Sequence, residues 1–521
     1  MIVHPASKSV LLRTRSPELV HNLLTHVRDV NIKGHNLQVR HGLEETRVLR
    51  NLGVKVPPPI YYHYKWTGKH PEVWRHQKMT AAFMTLHPRG FILNQQGTAK
   101  TACVLWAWDY MMQEGLHQKL LVIAPLSTLS LVWAQECFNT VPHRSVSVLY
   151  GTSERRKKLL AYGSDFYVIN HDGLKIIEDE VIARLDITGI AVDESADYRN
   201  ARTEKWAVLN RIIRARPDLS VWLMSGMPTP QEPTDAYAQV KLLFPSRVPR
   251  YFGNFRREVM LQVSPYKWIP RDGSSERVFE VMQPAIRFKK SECLDLPPLV
   301  TEEAEAQLSK EQQDEYARMR KHMQASAEGV NISAVNAADQ ITKLRQILCG
   351  VIKDPITGAY KILNFAPRLN LLIQLINQAS HKVVVVVPFK GVLRVLVKAL
   401  NHKGISCEMI NGDVPFAKRT QIVNRFRQTP DPRVLAIHPK VAAHGLSFVE
   451  ADTTILYAPI YSNDQFQQVI ERYNRPGQLH KMTLIRMGTH RLEWAIYKDT
   501  DRRQDQQMSV LDLYKTEVLG L

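Results

Sequence analysis

Long apolar runs are missing from this sequence. A stretch such as Val383 to Val387 makes one buried strand and falls far short of the roughly 20 residues that cross a bilayer. Cysteine is sparse too: Cys103, Cys137, Cys293, Cys349 and Cys407 are scattered, with no C-x-x-C pair. That pattern argues against a zinc site or a disulfide framework and fits a reducing compartment. The opening Met1-Ile-Val-His-Pro lacks the charged-then-apolar pattern of a secretory signal, so a cytoplasmic location without membrane association is expected. Low-complexity tracts and short-period repeats are absent. Acidic residues are outnumbered, 50 against 69 lysines and arginines, which leaves a formal charge of +19. A basic surface attracts phosphate, although a generally basic soluble protein has the same balance.

What is there is patterned for an α/β protein of more than one domain, since 521 residues exceed a single core. Residues 1–68 read as a small α+β unit: strands at Val10–Thr14 and Asn36–Arg40, helices at Pro17–Val27 and Leu43–Leu52. It closes on the stiff Lys55-Val-Pro-Pro-Pro-Ile segment. Apolar strands then alternate with helices, the mark of an open parallel sheet. Phe91-Ile-Leu, Leu120–Ala124, Phe166–Asn170, Gly189–Val192 and Val221–Met224 are the strands of a first lobe over 69–245. A charged, helix-rich insertion is expected over 246–365. Strands resume at Lys382–Val387, Cys407–Ile410, Val434–Ile437, Thr453–Tyr457 and Thr483–Arg486, forming a second lobe over 366–521.

Two segments carry chemistry. Strand Phe91-Ile-Leu runs into Asn94-Gln-Gln-Gly-Thr-Ala-Lys-Thr101 and then a helix, so backbone N–H groups and the helix dipole face a phosphate. Lys100 would reach terminal phosphates and the Thr101 hydroxyl would hold Mg²⁺. The loop is imperfect, because Asn94 and Ala99 stand where the pattern has small residues and glycine. Taken alone it also fits an ordinary strand–helix turn. Ile190-Ala-Val-Asp-Glu places Asp193 to hold Mg²⁺ and Glu194 to polarise water, and alone it also fits a solvated acidic turn.

In order, these segments and those around them resemble the Swi/Snf-type translocases of helicase superfamily two, from about Trp74 to Glu493. Trp74-Arg-His-Gln resembles the motif whose glutamine, here Gln77, reads adenine. Ala124-Pro-Leu-Ser-Thr-Leu-Ser-Leu-Val-Trp and Val168-Ile-Asn-His-Asp resemble strand-contact motifs. Asp193-Glu-Ser-Ala-Asp-Tyr-Arg-Asn is similar to D-E-A-H-R-x-K-N, and Ser225-Gly-Met-Pro-Thr-Pro-Gln to T-G-T-P-x-x-N. Arg287-Phe-Lys-Lys, Leu296-Pro-Pro, Leu308-Ser-Lys-Glu-Gln and Leu344-Arg-Gln-Ile resemble family-specific stretches. In the second lobe Ile410-Asn-Gly-Asp, Pro439-Lys-Val-Ala-Ala-His-Gly-Leu-Ser-Phe and Gln468-Val-Ile-Glu-Arg-Tyr-Asn-Arg-Pro-Gly-Gln resemble further motifs.

The resemblance implies two RecA-like lobes, parallel sheets flanked by helices, with ATP and Mg²⁺ between them. It assigns ATP to Gln77, Gly97, Thr98, Ala99, Lys100, Thr101 and Gly445, Mg²⁺ to Thr101 and Asp193, and catalysis to Lys100, Asp193, Glu194, Arg472 and Arg475. Arginine suits the last role because its planar fork stays charged and binds phosphate oxygens in pairs. DNA contacts are expected from Ser127, Thr128, His171, Lys440 and His444, groups that bind phosphates without reading sequence. The expected activity is DNA-stimulated ATP hydrolysis with movement along double-stranded DNA and remodelling of forks or branched DNA, by a monomer. The compact layout is most similar to bacteriophage-encoded members, which would place it in a host cytoplasm. Ala99 and Ala196, the latter where the motif has histidine, keep open an ATP-controlled DNA clamp with little turnover. A motor that displaces RNA polymerase, or one working with recombination proteins, shares the same motifs, and an RNA-remodelling helicase is separable by its activator.

Overall fold

The computed structural model describes residues 1–13, 18, 22, 31–68, 72–230, 232–265, 267–293, 297–327, 334–353, 357–442, 448–470, 472–474 and 478–501. They form two compact units, Met1–Leu294 and Asp295–Leu521.

The first unit is built on a seven-stranded sheet in the order Ala285–Ile286, Arg89–Ile92, Ser220–Met224, Ile187–Asp193, Lys119–Ala124, Phe166–Asn170, Val146–Val148, with every pairing parallel. Its strands are apolar on both faces because helices cover both. Along Lys119–Ala124, Leu121 and Ile123 join one apolar cluster while Leu120, Val122 and Ala124 join the other. Gly189 is required where the sheet meets Trp108 of helix Lys100–Gln113: a Cβ there would lie 2.2 Å from the indole.

A four-stranded antiparallel sheet (Ile2–His4, Ser9–Arg13, Asn36–Arg40, Asn31–Lys33) and helix Leu43–Asn51 precede this lobe. Asn36–Arg40 alternates exposed and buried residues, so one face packs on Leu49 and Val56 and the other meets water. The small sheet is fastened to the lobe. Lys8 and Arg40 pair with Glu114 at the end of helix Lys100–Gln113, Arg47 donates to Thr85 O at 2.6 Å, and Leu43 enters the lobe's core. The expected helix at Pro17–Val27 lies almost wholly outside the described residues.

The second unit carries a six-stranded parallel sheet in the order Leu299–Glu305, Met482–Gly488, Ala451–Leu456, Lys382–Val386, Val434–Ile437, Cys407–Ile410. Helices Ala366–Gln378 and Lys390–His402 cover one face through Leu369, Leu372 and Ile376 and through Leu393, Leu396 and Leu400. The fully buried pair Arg368–Glu493, with contacts at 2.9 and 3.0 Å, joins the first of these to helix Arg491–Asp501.

The stretch 246–365 is divided, not a single insertion. Helices Phe252–Val259 and Ser274–Val281, a hairpin between Met260–Ser264 and Lys267–Pro270, and the edge strand Ala285–Ile286 belong to the first unit. Leu299–Glu305, helices Lys310–Ala327 and Ala334–Leu348 and a hairpin between Val351–Lys353 and Tyr360–Ile362 belong to the second. Edge strands Ala285–Ile286 and Leu299–Glu305 flank the division, and edge pairing assigns each half to a different sheet. Among the described residues no helix is long and apolar enough to cross a membrane.

Candidate active site

Open parallel sheets bind ligands beyond the carboxyl ends of their strands. Three loops of the first unit meet at that edge, following Arg89–Ile92, Ile187–Asp193 and Ser220–Met224, which are adjacent in the sheet. The first leads into helix Lys100–Gln113, whose earliest N–H bonded to a carbonyl of the turn is that of Cys103, to Ala99 O at 3.5 Å. The N–H groups before it have no intrahelical partner, as at any helix start, and are available to phosphate oxygens.

The loop reaches its shape through two left-handed residues, Gly97 at φ 82° and Ala99 at φ 57°. Glycine adopts this conformation freely, whereas alanine is strained by its Cβ. Side chains then fix the loop. Asn94 Nδ2 donates to Thr80 Oγ1 at 2.8 Å, Thr98 Oγ1 donates to Gln95 O at 2.8 Å, and His76 Nε2 lies 3.1 Å from Thr98 O. Burial lowers the pKa of His76, so the ring bonding this loop favours its neutral form. The Arg287-Phe-Lys-Lys segment closes on the same loop: Phe288 N donates to Asn94 Oδ1 (3.1 Å) and Lys290 N to Gln95 Oε1 (2.8 Å). Asn94, where the pattern has a small residue, is thus a buried brace between helix Arg75–Leu86 and this segment. Lys100 Nζ donates to Asn94 O at 2.8 Å and Gln95 O at 3.5 Å, which holds its ammonium over the loop.

The acidic pair lies at the end of Ile187–Asp193. Asp193 Oδ2 accepts from Trp133 Nε1 at 3.0 Å and its Oδ1 from Glu194 N at 3.1 Å. A carboxylate offers about four acceptor positions, so each oxygen keeps one for a hydrated cation. Thr101, half-buried on the first helical turn, supplies a hydroxyl, and this oxygen set fits Mg²⁺. Glu194 is itself left-handed, φ 53°, and its Oε1 accepts from Gln96 Nε2 at 3.1 Å. Phosphate loop and acidic pair are therefore joined directly, by Gln96. Trp133, 1 % exposed, comes from a π-helical segment, Leu129–Ala134. Neither residue stood out in the sequence, because nothing local marks what a side chain meets across the sheet.

Gln77 is buried, its carbonyl accepting from Trp74 N at 2.9 Å. Two of the residues expected to contact DNA are largely buried here. Thr128 is 8 % exposed and its hydroxyl donates to Pro125 O; His171 is 6 % exposed, its Nδ1 3.2 Å from the Tyr198 hydroxyl and its pKa lowered by burial. Packing against an aromatic neighbour holds the histidine in the interior. The Ser127 side chain lies outside the described residues. In the second unit Lys440 is exposed and Arg472 is half-buried, its backbone bonded to Phe448 N and Val469 O. Arg475, His444 and Gly445 lie outside the described residues.

Comparison with known proteins matches two domains along the chain. The SNF2-related domain matches residues 65–352, and the helicase conserved C-terminal domain matches residues 367–477. The mouse DNA annealing helicase and endonuclease ZRANB3 is 24% identical over 432 residues, 78% of this chain and 38% of that protein. Uncharacterized ATP-dependent helicase MG018 of Mycoplasma genitalium is 21% identical over 406 residues, 76% of this chain and 38% of its own. The chain thus spans well under half the length of these curated relatives. Among solved structures, the Sulfolobus solfataricus SWI2/SNF2 ATPase core in complex with dsDNA aligns over 89% of this chain and 97% of that one, with 17% identity and a TM-score of 0.41. With more than half of its length inside the SNF2-related domain, and a helicase C-terminal domain after it, the chain belongs to the SNF2-related family.

Proposed function

We propose that the chain is a DNA-stimulated ATPase that moves along double-stranded DNA and remodels forks or branched DNA, hydrolysing ATP between two RecA-like lobes. The observation that carries this is the meeting of Lys100, Asp193 and Glu194 at one sheet edge, with Gln96 joining loop to carboxylate at 3.1 Å. Phosphoryl transfer needs positioning and charge neutralisation more than covalent chemistry, and these residues provide both. Lys100 binds the terminal phosphates. Glu194 orients the attacking water and accepts its proton. Mg²⁺, when bound by Thr101 and Asp193, adds positive charge beside the phosphates. Arg472 and Arg475 belong to the second lobe, so their approach ties turnover to lobe closure, which is what a motor requires. The DNA annealing activity in the name of one relative supports forks or branched DNA as the substrate class.

Displacement of a third strand from a duplex tests movement itself. ATP-dependent release of the third strand is the expected result, and intact ATP turnover without release would remove translocation from the account. A fluorescently labelled fork, followed for pairing of its parental strands, tests the remodelling step.

A further inference from the structure

Ala196 stands where the resembling motif has histidine, and the residue before it is tied into a buried polar chain. Ser195 is fully buried, and its hydroxyl donates to Gln239 Oε1 at 2.9 Å. Gln239, also fully buried, donates through Nε2 to Pro228 O at 2.6 Å and Asp235 O at 3.0 Å. On the other side of Ser195, Glu194 holds a left-handed backbone and accepts from Gln96. Gln96 in turn lies close to the same loop that Gln239 holds, leaving no room for a side chain at Gly226: a Cβ there would lie 2.9 Å from Gln96 Cγ and 3.0 Å from its N. Residues 225–228 are therefore bonded to Ser195 through Gln239 at Pro228, and Gln96, which bonds Glu194, lies close against Gly226.

We infer that Ser195 and Gln239 are positioning residues for ATP hydrolysis, holding Glu194 in its left-handed geometry and tying it to loop 225–228 so that the two move together. The inference rests on the ATPase reading above. Its physical basis is satisfaction: a buried amide and hydroxyl with all these bonds made favour a single arrangement, and a missing partner leaves buried groups unpaired. A positive φ at a glutamate persists only where its surroundings over-determine it, and Ser195 and Gln96 hold the adjoining backbone and the side chain. Gln239 had a sequence signal after all, as an uncharged polar residue inside the otherwise apolar Ala236-Tyr-Ala-Gln-Val.

The test compares Ser195→Ala, Gln239→Met and the double variant by kcat and KM for ATP at saturating duplex DNA, beside binding of a fluorescent ATP analogue. Each single variant is expected to lower kcat about tenfold with KM held within about twofold, the pattern of a lost transition-state interaction. The double variant should be no slower than the worse single one, because both break one chain of contacts. Ser195→Ala removes one oxygen and keeps the backbone, so it decides the kcat arm if Gln239→Met fails to fold. An unchanged kcat, or losses that multiply to about a hundredfold in the double variant, overturns the inference while wild type remains active. A wild-type chain that hydrolyses no ATP overturns the proposed function, and the inference with it.

Discussion

Ala99 holds a backbone that glycine adopts freely, φ 57°, at a cost of about 1 kcal/mol. Its methyl also sits where the loop must approach phosphate. Removing that methyl in Ala99→Gly is expected to lower KM for ATP by roughly fivefold, as read from steady-state turnover, while the relieved backbone adds to stability instead. An unchanged KM would show that the loop absorbs the methyl without consequence. Lys100→Ala removes the ammonium from a loop that side chains brace independently. ATP turnover should disappear while affinity for duplex DNA, measured by fluorescence anisotropy, stays within about twofold; loss of both would point to misfolding. At this scale the sequence singles out Lys100, Asp193 and Glu194, where phosphate chemistry demands a fixed residue type, and the fold brings the loops that carry them to one sheet edge. The sequence was silent at Gln96 and Trp133, whose partners lie 98 and 60 positions away. At Thr128 and His171 the sequence does not decide, because a hydroxyl or an imidazole suits a phosphate and a buried neighbour equally well.

Helices and strands buried on both faces announce themselves, and the five strands expected for each lobe are present within a residue or two. Edge strands do not. Leu299–Glu305 carries three glutamates in seven residues, Val146–Val148 is half-buried and Ala285–Ile286 only two residues long, so pairing makes each a strand where periodicity cannot. Two contacts between elements give predictions. Glu493→Gln would leave Arg368 buried and uncompensated, so chemical denaturation should show a loss of about 3–5 kcal/mol in the second unit. The small N-terminal sheet is joined to the segment leading into the lobe by His41, which bonds Pro57 O at 2.9 Å and lies 3.0 Å from His63 Nε2 on helix Ile60–His63. Burial, with His41 and Lys8 nearby, pushes His63 down to about 4, and burial lowers His41 as well. Both rings favour the neutral form when folded, whereas the unfolded chain takes up protons below about 6.5. Docking is therefore at full strength above that pH and weakens as pH falls toward 4. Hydrogen exchange of strand Ser9–Arg13, corrected for intrinsic rates, should accelerate between pH 7.5 and 5; equal protection at both would separate the histidine pair from docking.

The molecule as a whole presents 19 more positive than negative charges, and the proposed partner is a polyanion. Phosphate-dominated binding makes log affinity fall with log salt at a slope of about −0.9 per phosphate contact, so a slope of about −4 or steeper is expected on duplex DNA. A flat dependence would contradict that mode of binding. Organisation into two α/β units was legible because each repeats the same alternation of apolar strands and helices. Their boundary was not, since it falls inside one charged stretch whose halves differ only in the sheet they join. The central claim is that Glu194, held by Gln96 beside the phosphate loop, serves ATP hydrolysis coupled to DNA. The most direct test is ATP turnover by wild type and Glu194→Gln, without nucleic acid and with duplex, forked and single-stranded DNA. Strong stimulation by duplex or forked DNA, abolished in the variant, is the predicted result. Wild-type turnover no higher than the variant's, with DNA binding intact, would contradict it and leave an ATP-controlled clamp.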